Sequence, residues 1–298
     1  MQLCQVPPPL KPGDLLRVIA PSGAIKEINS FQKGLDIWVN RGYRVIIDAK
    51  LHDQWGYLAG KDYNRREQLA KAWFDPECKG ILCARGGYGT MRLLENWSWS
   101  NQIEPQFINK WIIGFSDITS LLWSLGKIGI SGLHGPVLTT IGKEPEGSLQ
   151  RLFNWVENHQ IEPLKGKGWG GGKVTGILLP ANLTVATHLL GTPHQPDLQN
   201  VILALEDVTE FPYRIDRMLT QWRLTGNLQK VKGIALGRFS KCEGTPPSFT
   251  VSEVFRDRLS DLDIPIVSDL PFGHDGENAI LPVGIMANLD GDEGVLGF

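Results

Sequence analysis

One serine stands where a catalytic nucleophile is commonly found. Residues 111–113 (WII) form an apolar run that predicts a buried parallel strand, and residues 118–125 have a helical pattern. Ser116 lies in the turn between them. Such a corner exposes a hydroxyl beyond the sheet, and backbone N–H groups at the helix start can stabilise an oxyanion. Ser116 and Asp117 are also residues that cap helices, and this stretch alone favours the cap.

A nucleophilic serine needs a base, and histidine is the usual one. His134 follows a predicted strand, and His274 lies in a glycine-flanked loop, PFGHDGEN at 271–278, where the backbone can approach a ligand closely. Either histidine alone could be structural. The remaining four are predicted to be solvated in loops (His52, His159 and His194) or packed within a helix (His188).

The base in turn needs an acidic side chain to hold its ring in one tautomer. An apolar strand predicted at 201–205 is followed by Glu206 and Asp207, and either acid could instead cap or solvate the strand end. With Ser116 in the first half of the chain, these residues predict a site between two domains. Ile118 replaces the second glycine of a GxSxG elbow, which argues against an ordinary α/β-hydrolase.

The elements around these residues alternate between strands and helices, which indicates an α/β fold with a parallel sheet covered on both faces. In such a sheet the site lies beyond the carboxyl ends of the strands. The predicted strands of the first half are 15–20, 43–47, 80–84 and 111–113, with helices at 27–41, 63–74, 90–96, 118–125 and 148–158. The second half mixes strands (174–179, 201–206, 233–238, 265–268, 280–286) with helices (182–190, 212–223, 251–261) and closes in a β-hairpin.

Domain boundaries follow from a change in composition. Residues 163–173 (PLKGKGWGGGK) are rich in glycine and lysine, which is typical of a linker. We predict an N-terminal nucleophile-bearing α/β domain at 1–160, a linker at 161–175, and a C-terminal domain at 176–298 that supplies Glu206 and His274.

Composition excludes several classes of function. The chain has 298 residues, 42% of them hydrophobic, and a net charge of −2, so nothing favours nucleic acid or an anionic membrane as partner. Its four cysteines lack CxxC spacing and fit reduced thiols better than a disulfide framework or a zinc site. No apolar run reaches transmembrane length, and a proline run stands where a secretory signal would be apolar. We therefore expect a cytoplasmic protein.

Five motifs together resemble the LD-carboxypeptidases, serine peptidases also called muramoyltetrapeptide carboxypeptidases. The resemblance extends from about residue 13 to near the C-terminus. Each motif alone would be weak, but five in matching order make chance similarity very improbable. The motifs are RGGYG at 85–89, GFSDIT at 114–119, LED at 205–207, PYRIDRML at 212–219 and GHDGEN at 273–278.

The resemblance implies a Ser116–His274–Glu206 triad and an oxyanion hole formed by the N–H groups of Asp117 and Gly87. It implies a Rossmann-like N-terminal sheet, a C-terminal domain with β-barrel character, and a homodimer. The implied substrate is the murein tetrapeptide, from which the enzyme removes the terminal D-Ala during cytoplasmic wall recycling. The family needs no metal or other cofactor.

A carboxypeptidase must also hold a free carboxylate. Arg85 offers a bidentate partner at the carboxyl end of a strand, and we expect Arg85, Gly86 and Tyr88 to bind the substrate. Two positions depart from the family pattern. Pro180 and Ala181 stand where the family usually has Gly-Gly before Asn-Leu, and Asp275 stands where glycine is more usual.

Two alternatives use the same fold. Microcin C immunity peptidases share the triad and cleave peptidyl- or aminoacyl-nucleotide analogues, so an aromatic ring placed to stack on adenine would favour that function. Trp169 is the candidate for such a ring. A non-catalytic binding protein is the second alternative, and the presence of Ser116, Glu206 and His274 argues against it.

Overall fold

The first half of the chain alternates strands and helices, as its hydrophobic pattern predicts. The computed structural model describes residues 1–99 and 110–298. Helices bury one face at helical spacing, for example through Phe31, Leu35 and Trp38. The elements are β1 (Leu15–Ile19), α1 (Ile28–Asn40), β2 (Arg44–Ile47), α2 (Asp62–Phe74), β3 (Cys78–Cys83), α3 (Thr90–Leu94), β4 (Trp111–Gly114), α4 (Thr119–Lys127), β5 (Leu133–His134), α5 (Leu138–Ile141) and α6 (Glu146–Asn158).

The second half is also mixed, and its final hairpin is confirmed by the antiparallel pairing of its last two strands. The strand predicted at 280–286 is instead divided between two short strands, because a turn at 283–285 interrupts it. The elements are β6 (Leu164–Lys165), β7 (Lys167–Gly168), β8 (Lys173–Asn182), α7 (Leu183–Leu189), β9 (Val201–Val208), α8 (Pro212–Leu224), β10 (Gly233–Ser240), α9 (Val251–Leu259), β11 (Ile266–Ser268), β12 (Leu281–Pro282), β13 (Met286–Asp290) and β14 (Val295–Gly297).

The first sheet confirms the predicted Rossmann-like arrangement. Its strand order is β12-β5-β4-β3-β1-β2, in which β1 to β5 run parallel and only β12 is antiparallel. Consecutive side chains of one strand pack into two different hydrophobic clusters, one on each face of the sheet, as Ile112 and Ile113 of β4 do. Helices therefore cover both faces of the sheet, because successive side chains point to opposite sides.

The second sheet has the order β6-β14-β13-β8-β9-β10-β11-β7. Strands β8 to β11 are parallel, and the others are antiparallel. Its two edge strands, β6 and β7, are separated in sequence by Gly166 alone, so the two ends of the sheet must meet and the sheet curls like a barrel. Residues predicted as a linker thus form strands of this sheet, and the boundaries at 160 and 176 remain a prediction.

The two halves share a continuous core. Trp123 of α4 lies 6.4 Å from Trp222 of α8, measured between ring centroids, and both side chains are buried. The Trp123 indole Nε1 donates to the Pro180 carbonyl at 3.0 Å. Helix α4 begins two residues after Asp117, so this packing fixes the Ser116 corner against the second half. None of the helices in the described part of the chain has the length and apolar character needed to cross a membrane.

Candidate active site

Ser116 occupies the predicted corner in a strained conformation. Its φ is 62°, in the left-handed region that non-glycine residues rarely adopt and that costs on the order of 1–3 kcal/mol. Ser116 connects β4 to a 3-10 turn, Ser116–Ile118, which continues into α4. A Cβ added to Gly86 would lie 3.2 Å from Ser116 Oγ, so Gly86 packs directly against the hydroxyl. Strain of this kind concentrates at functional sites.

His274 and Glu206 form a short polar contact in the site. His274 Nδ1 lies 2.6 Å from Glu206 Oε2, and Glu206, near the end of β9, is fully buried. Gly273 allows this approach, because a Cβ there would lie 3.2 Å from Glu206 Oε2. Burial lowers the pKa of His274, but the hydrogen bond and charge of Glu206 outweigh it, so the pKa lies above its ordinary value of 6.5.

Asp207, the second acidic candidate, braces the site instead of contacting the imidazole. Its Oδ2 accepts from the Thr184 N–H at 2.8 Å and from the Thr184 hydroxyl at 2.7 Å. Its Oδ1 accepts from Asn182 Nδ2 at 2.9 Å, and the same amide reaches Glu206 Oε1 at 3.4 Å. The side chain of Glu206 therefore orients His274, while Asp207 fixes the start of α7.

The expectation that Ser116 or Asp117 caps the following helix is wrong. That helix begins without a side-chain cap. The buried Asp117 carboxylate instead accepts from the Ser22 hydroxyl and from the Thr90 N–H, at 2.9 Å, at the start of α3. The left-handed turn at Ser116 leaves its hydroxyl on a cavity wall, so the side chain is not bent back over α4.

A cavity of about 460 Å³ brings most of the predicted residues together. Ser116 and His274 both line it, as do Arg85, Gly86 and Gly87. Each element supplies its residue from the carboxyl end of a strand or from the loop that follows, as a parallel sheet requires. The cavity therefore combines a hydroxyl, an imidazole with an acidic partner, and a guanidinium.

The Arg85 guanidinium is only partly committed to a protein partner. Its Nε donates to Glu27 Oε2 at 3.2 Å, and its side chain is 28% exposed. Both residues line the cavity together with Lys143. Tyr88 is not among the lining residues; its exposed ring contacts Tyr57 at 5.7 Å between centroids.

His134, the other candidate base, is excluded from the cavity. It is fully buried in β5, and burial lowers its pKa to about 3. Within residues 1–99 and 110–298, neither of its ring nitrogens has a hydrogen-bond partner. The Phe115 ring contacts both histidines, at 5.9 Å from His134 and 4.7 Å from His274. His134 is therefore a neutral core residue behind the site.

The predictions for the other histidines are mixed. His52 and His159 are exposed, as expected for loop residues, while His194 is half-buried against Ser124. His188 lies within α7 as predicted, but its side chain is exposed, because its position faces away from the shared core.

Comparison with known proteins identifies the family. The profile of the LD-carboxypeptidase N-terminal domain matches residues 16–135, and that of the LD-carboxypeptidase C-terminal domain matches residues 175–289. The chain belongs to the LD-carboxypeptidase family. A protein of Synechocystis sp. named "Putative carboxypeptidase" is 58% identical over 98% of this chain and 96% of its own length.

Solved LD-carboxypeptidase structures share the fold. The muramoyltetrapeptide carboxypeptidase from Oxalobacter formigenes is 30% identical, covers 95% of this chain and 97% of its own, and has a TM-score of 0.83. The microcin C7 self-immunity protein MccF, in complex with aspartyl sulfamoyl adenosine, has a TM-score of 0.89 at 21% identity and covers 99% of this chain and 98% of its own. The second likeness is one of fold alone.

The structure accounts for one departure from the LD-carboxypeptidase pattern. Asp275, where glycine is more usual, has a φ of 55°, and its carboxylate pairs with Lys241 at 2.9 Å. Aspartate tolerates this left-handed conformation better than most residues. Pro180 and Ala181 are buried within β8, one strand away from Glu206.

Sequence reasoning missed Glu27, the partner of Arg85, and further side chains of this LD-carboxypeptidase site that include Asn182, Thr184, Lys143 and Glu210. Asn182 carried a detectable signal, since asparagine between a strand and a helical pattern predicts an N-cap. The others lie in loops or helix starts with no distinguishing pattern. Among the described residues, no group of three or more His, Cys, Asp or Glu is placed to hold a metal ion.

Proposed function

We propose that the protein is a serine LD-carboxypeptidase that removes the terminal D-Ala from murein tetrapeptides through Ser116, His274 and Glu206. The observation that carries this proposal is that His274, in contact with Glu206 at 2.6 Å, lines the same cavity as the strained Ser116. The family membership and the murein tetrapeptide carboxypeptidase among its relatives, that of Pseudomonas aeruginosa at 29% identity, support it.

The proposed reaction starts from the hydrogen bond between His274 and Glu206. Glu206 holds Nδ1 of His274, which leaves Nε2 to take the proton from Ser116 as its oxygen attacks the carbonyl of the scissile bond. The N–H groups of Asp117 and Gly87 stabilise the resulting oxyanion. His274 then gives its proton to the departing D-Ala amine, and water releases the acyl group by the same steps in reverse order.

In this proposal, Arg85 gives the enzyme its specificity for a free C-terminal carboxylate. Arg85 binds the carboxylate of the terminal D-Ala, because a guanidinium matches a carboxylate in two parallel hydrogen bonds. Glu27 holds the guanidinium through Nε at 3.2 Å, and NH1 donates to the Gly86 carbonyl at 3.4 Å, so the guanidinium keeps further N–H groups for a ligand. We further propose that the enzyme acts in the cytoplasm, in wall recycling, and as a homodimer.

Mass spectrometry tests the proposal directly. The purified protein is incubated with L-Ala-γ-D-Glu-meso-diaminopimelyl-D-Ala, and the products are compared with those of a heat-inactivated sample. The proposal expects loss of a single alanine and a tripeptide that is not shortened further. An unchanged tetrapeptide at high enzyme concentration would overturn it.

The nucleotide-analogue alternative receives no support from the cavity. The candidate ring, Trp169, is separate from the catalytic cavity: it lies 3.6 Å from the Arg256 guanidinium, and its Nε1 donates to Ser268 at 3.0 Å. In the part of the chain that the structure describes, Phe115 is the only aromatic side chain lining the catalytic cavity other than the His274 imidazole, which it contacts. Hydrolysis of aspartyl sulfamoyl adenosine is the matching assay for this alternative.

A further inference from the structure

A second cavity adjoins the catalytic one. It has a volume of about 490 Å³, and Thr184 and Glu210 line both cavities, so their side chains form the shared border. Beyond that border the second cavity is lined by Arg214 and Arg217, near the start of α8. Ser116 thus lies on one side of the border at Thr184 and Glu210, and the two arginines lie on the other.

The charges at this border are arranged as a loose pair. Arg214 and Glu210 are 3.6 Å apart, measured from the guanidinium NH1 to Oε2, and their side chains are 45% and 19% exposed. This separation is too long for a strong hydrogen bond, so each group retains capacity for a ligand. Within the described residues, Glu210 is the only acidic side chain that lines the second cavity.

Aromatic rings hold the two arginines in place. The Arg214 guanidinium lies 5.7 Å from the Phe211 ring and 5.9 Å from the Tyr213 ring, and its Nε donates to the Tyr213 hydroxyl at 3.2 Å. The Arg217 guanidinium lies 5.7 Å from the same Tyr213 ring. Such contacts orient the cations without neutralising them. The PYRIDR segment at 212–217 therefore presents two cations to the second cavity, beside the Glu210 carboxylate.

We propose that Glu210 and Arg214, with Arg217, form a subsite for an amino-acid zwitterion at the end of the substrate side chain next to the scissile bond. This inference rests on the proposed function and specifies its third-position residue. Diaminopimelate ends in an ammonium and a carboxylate on one carbon, whereas lysine ends in an ammonium alone. Glu210 binds the ammonium, and the arginines bind the carboxylate. The subsite thus selects diaminopimelate over lysine.

Three tetrapeptides that differ only at the third position test the subsite. One carries meso-diaminopimelate, the second carries meso-diaminopimelate with its side-chain carboxylate amidated, and the third carries L-lysine. We expect the unmodified enzyme to have a kcat/KM for the first peptide roughly tenfold to a hundredfold above the other two, because one charged hydrogen-bond partner is lost in each.

Variants assign that preference to individual residues. Arg214→Gln is expected to lower kcat/KM for the diaminopimelate peptide to the level of the lysine peptide, with little effect on the amidated and lysine peptides. Glu210→Gln is expected to lower kcat/KM for all three, since all three carry the ammonium. Arg256→Gln is the matched control, because Arg256 also lies over an aromatic ring but lines a different cavity. It should change none of the three values.

The outcomes separate the two proposals. Equal cleavage of the three peptides by the unmodified enzyme, or an Arg214→Gln variant that slows all three equally, overturns the zwitterion subsite alone. Failure of the unmodified enzyme to release alanine from any peptide overturns the proposed function and the subsite with it. A melting temperature within a few degrees of the unmodified enzyme shows that each variant is folded.

Discussion

At the scale of single residues, the site depends on three side chains that are each unusual in a different way. Ser116 is strained, with a φ of 62°, Glu206 is a fully buried acid, and His274 bridges that acid to the cavity. Burial raises the pKa of the Glu206 carboxyl, while the His274 partner opposes this rise. An isolated buried carboxylate is unfavourable, and the hydrogen bond that His274 Nδ1 donates to Glu206 offsets that cost.

Ser116→Ala tests the nucleophile. We expect kcat for alanine release to fall roughly 10⁴- to 10⁶-fold, because the acyl intermediate cannot form. The free energy of unfolding should change by less than about 1 kcal/mol, since only one hydroxyl is removed. The measurements are alanine release and thermal melting. Ser252→Ala, an exposed serine away from the cavity, should retain full activity. Normal turnover by Ser116→Ala would rule out the serine mechanism.

We expect the His274 pKa to set the acid limb of the pH–rate profile. The imidazole must be neutral to accept a proton, and its pKa lies above 6.5. Activity should therefore fall as the pH decreases through a value above 6.5. Glu206→Gln removes the charge that raises this pKa, so the limb should move to lower pH while kcat falls roughly 10²- to 10⁴-fold. A limb that stays in place in the variant would contradict this assignment.

Arg85→Ala tests carboxylate binding. We expect KM for the tetrapeptide to rise roughly tenfold to a hundredfold, because a charge-assisted pair is lost. A tetrapeptide with an amidated C-terminus provides the control: the unmodified enzyme should discriminate against it, and Arg85→Ala should not. If Arg85→Ala leaves both KM and kcat for the acid peptide unchanged, the carboxylate is held elsewhere.

At the scale of elements, the junction of β8, α7 and β9 organises the acidic side of the site. Asn182 ends β8 and caps α7 by accepting from the Val185 N–H at 3.1 Å. Its amide donates to Asp207, and its backbone N–H donates to Thr119 Oγ1, at 3.0 Å, in the helix that follows Ser116. Asn182 therefore links α4, through its backbone N–H, to the strand that carries Glu206, through its side-chain amide.

Asn182→Ala should affect stability and catalysis together. Loss of the cap and of the buried hydrogen bonds is expected to lower the free energy of unfolding by about 1–3 kcal/mol and kcat severalfold. Thr250→Ala is the matched control, because Thr250 caps α9 in a capping box away from the cavity. It should lower stability by about 1 kcal/mol and leave kcat unchanged. Urea unfolding and alanine release distinguish the two variants. If Asn182→Ala had the same kcat as Thr250→Ala, the Asn182 side chain would not support catalysis.

At the scale of the whole molecule, the second half contributes to the first half's sheet and loops. Strand β12 is the edge strand of the N-terminal sheet and pairs with β5. Glu144, between α5 and α6, is hydrogen-bonded by the Asn278 N–H at 2.8 Å and by Ser148 at 2.9 Å. Asn278 Oδ1 in turn accepts from the Gly273 N–H at 3.0 Å. The loop that carries His274 is therefore fixed from the opposite half.

Glu144→Ala should loosen this loop. We expect a decrease of about 1–3 kcal/mol in the free energy of unfolding and a lower kcat, because a buried N–H loses its acceptor and His274 is held less firmly. Glu144→Gln retains an acceptor oxygen, so its stability and kcat should lie between those of the unmodified enzyme and those of Glu144→Ala. The readouts are chemical denaturation and kinetics on the tetrapeptide. A Glu144→Ala variant with unchanged kcat would mean that the loop is positioned without this contact.

The sequence by itself determined the element types, the parallel sheet and the corner at Ser116, because hydrophobic periodicity and strand–helix alternation are local signals. It also placed Glu206 and His274 at loop and strand ends. The strand pattern by itself left open whether Glu206 or Asp207 contacts the imidazole, although the family resemblance implied Glu206. The composition predicted a linker where β6 and β7 join the second sheet.

Tertiary structure decided those points, because each depends on partners distant in sequence. Glu206 and Asp207 are neighbours on one strand, and their side chains point in different directions: one reaches His274, and the other reaches Thr184. Short strands such as β6 have no hydrophobic period of their own and form only when a partner strand is present. His134 is likewise a candidate base by sequence alone, and its burial in β5 behind Phe115 excludes it from the cavity.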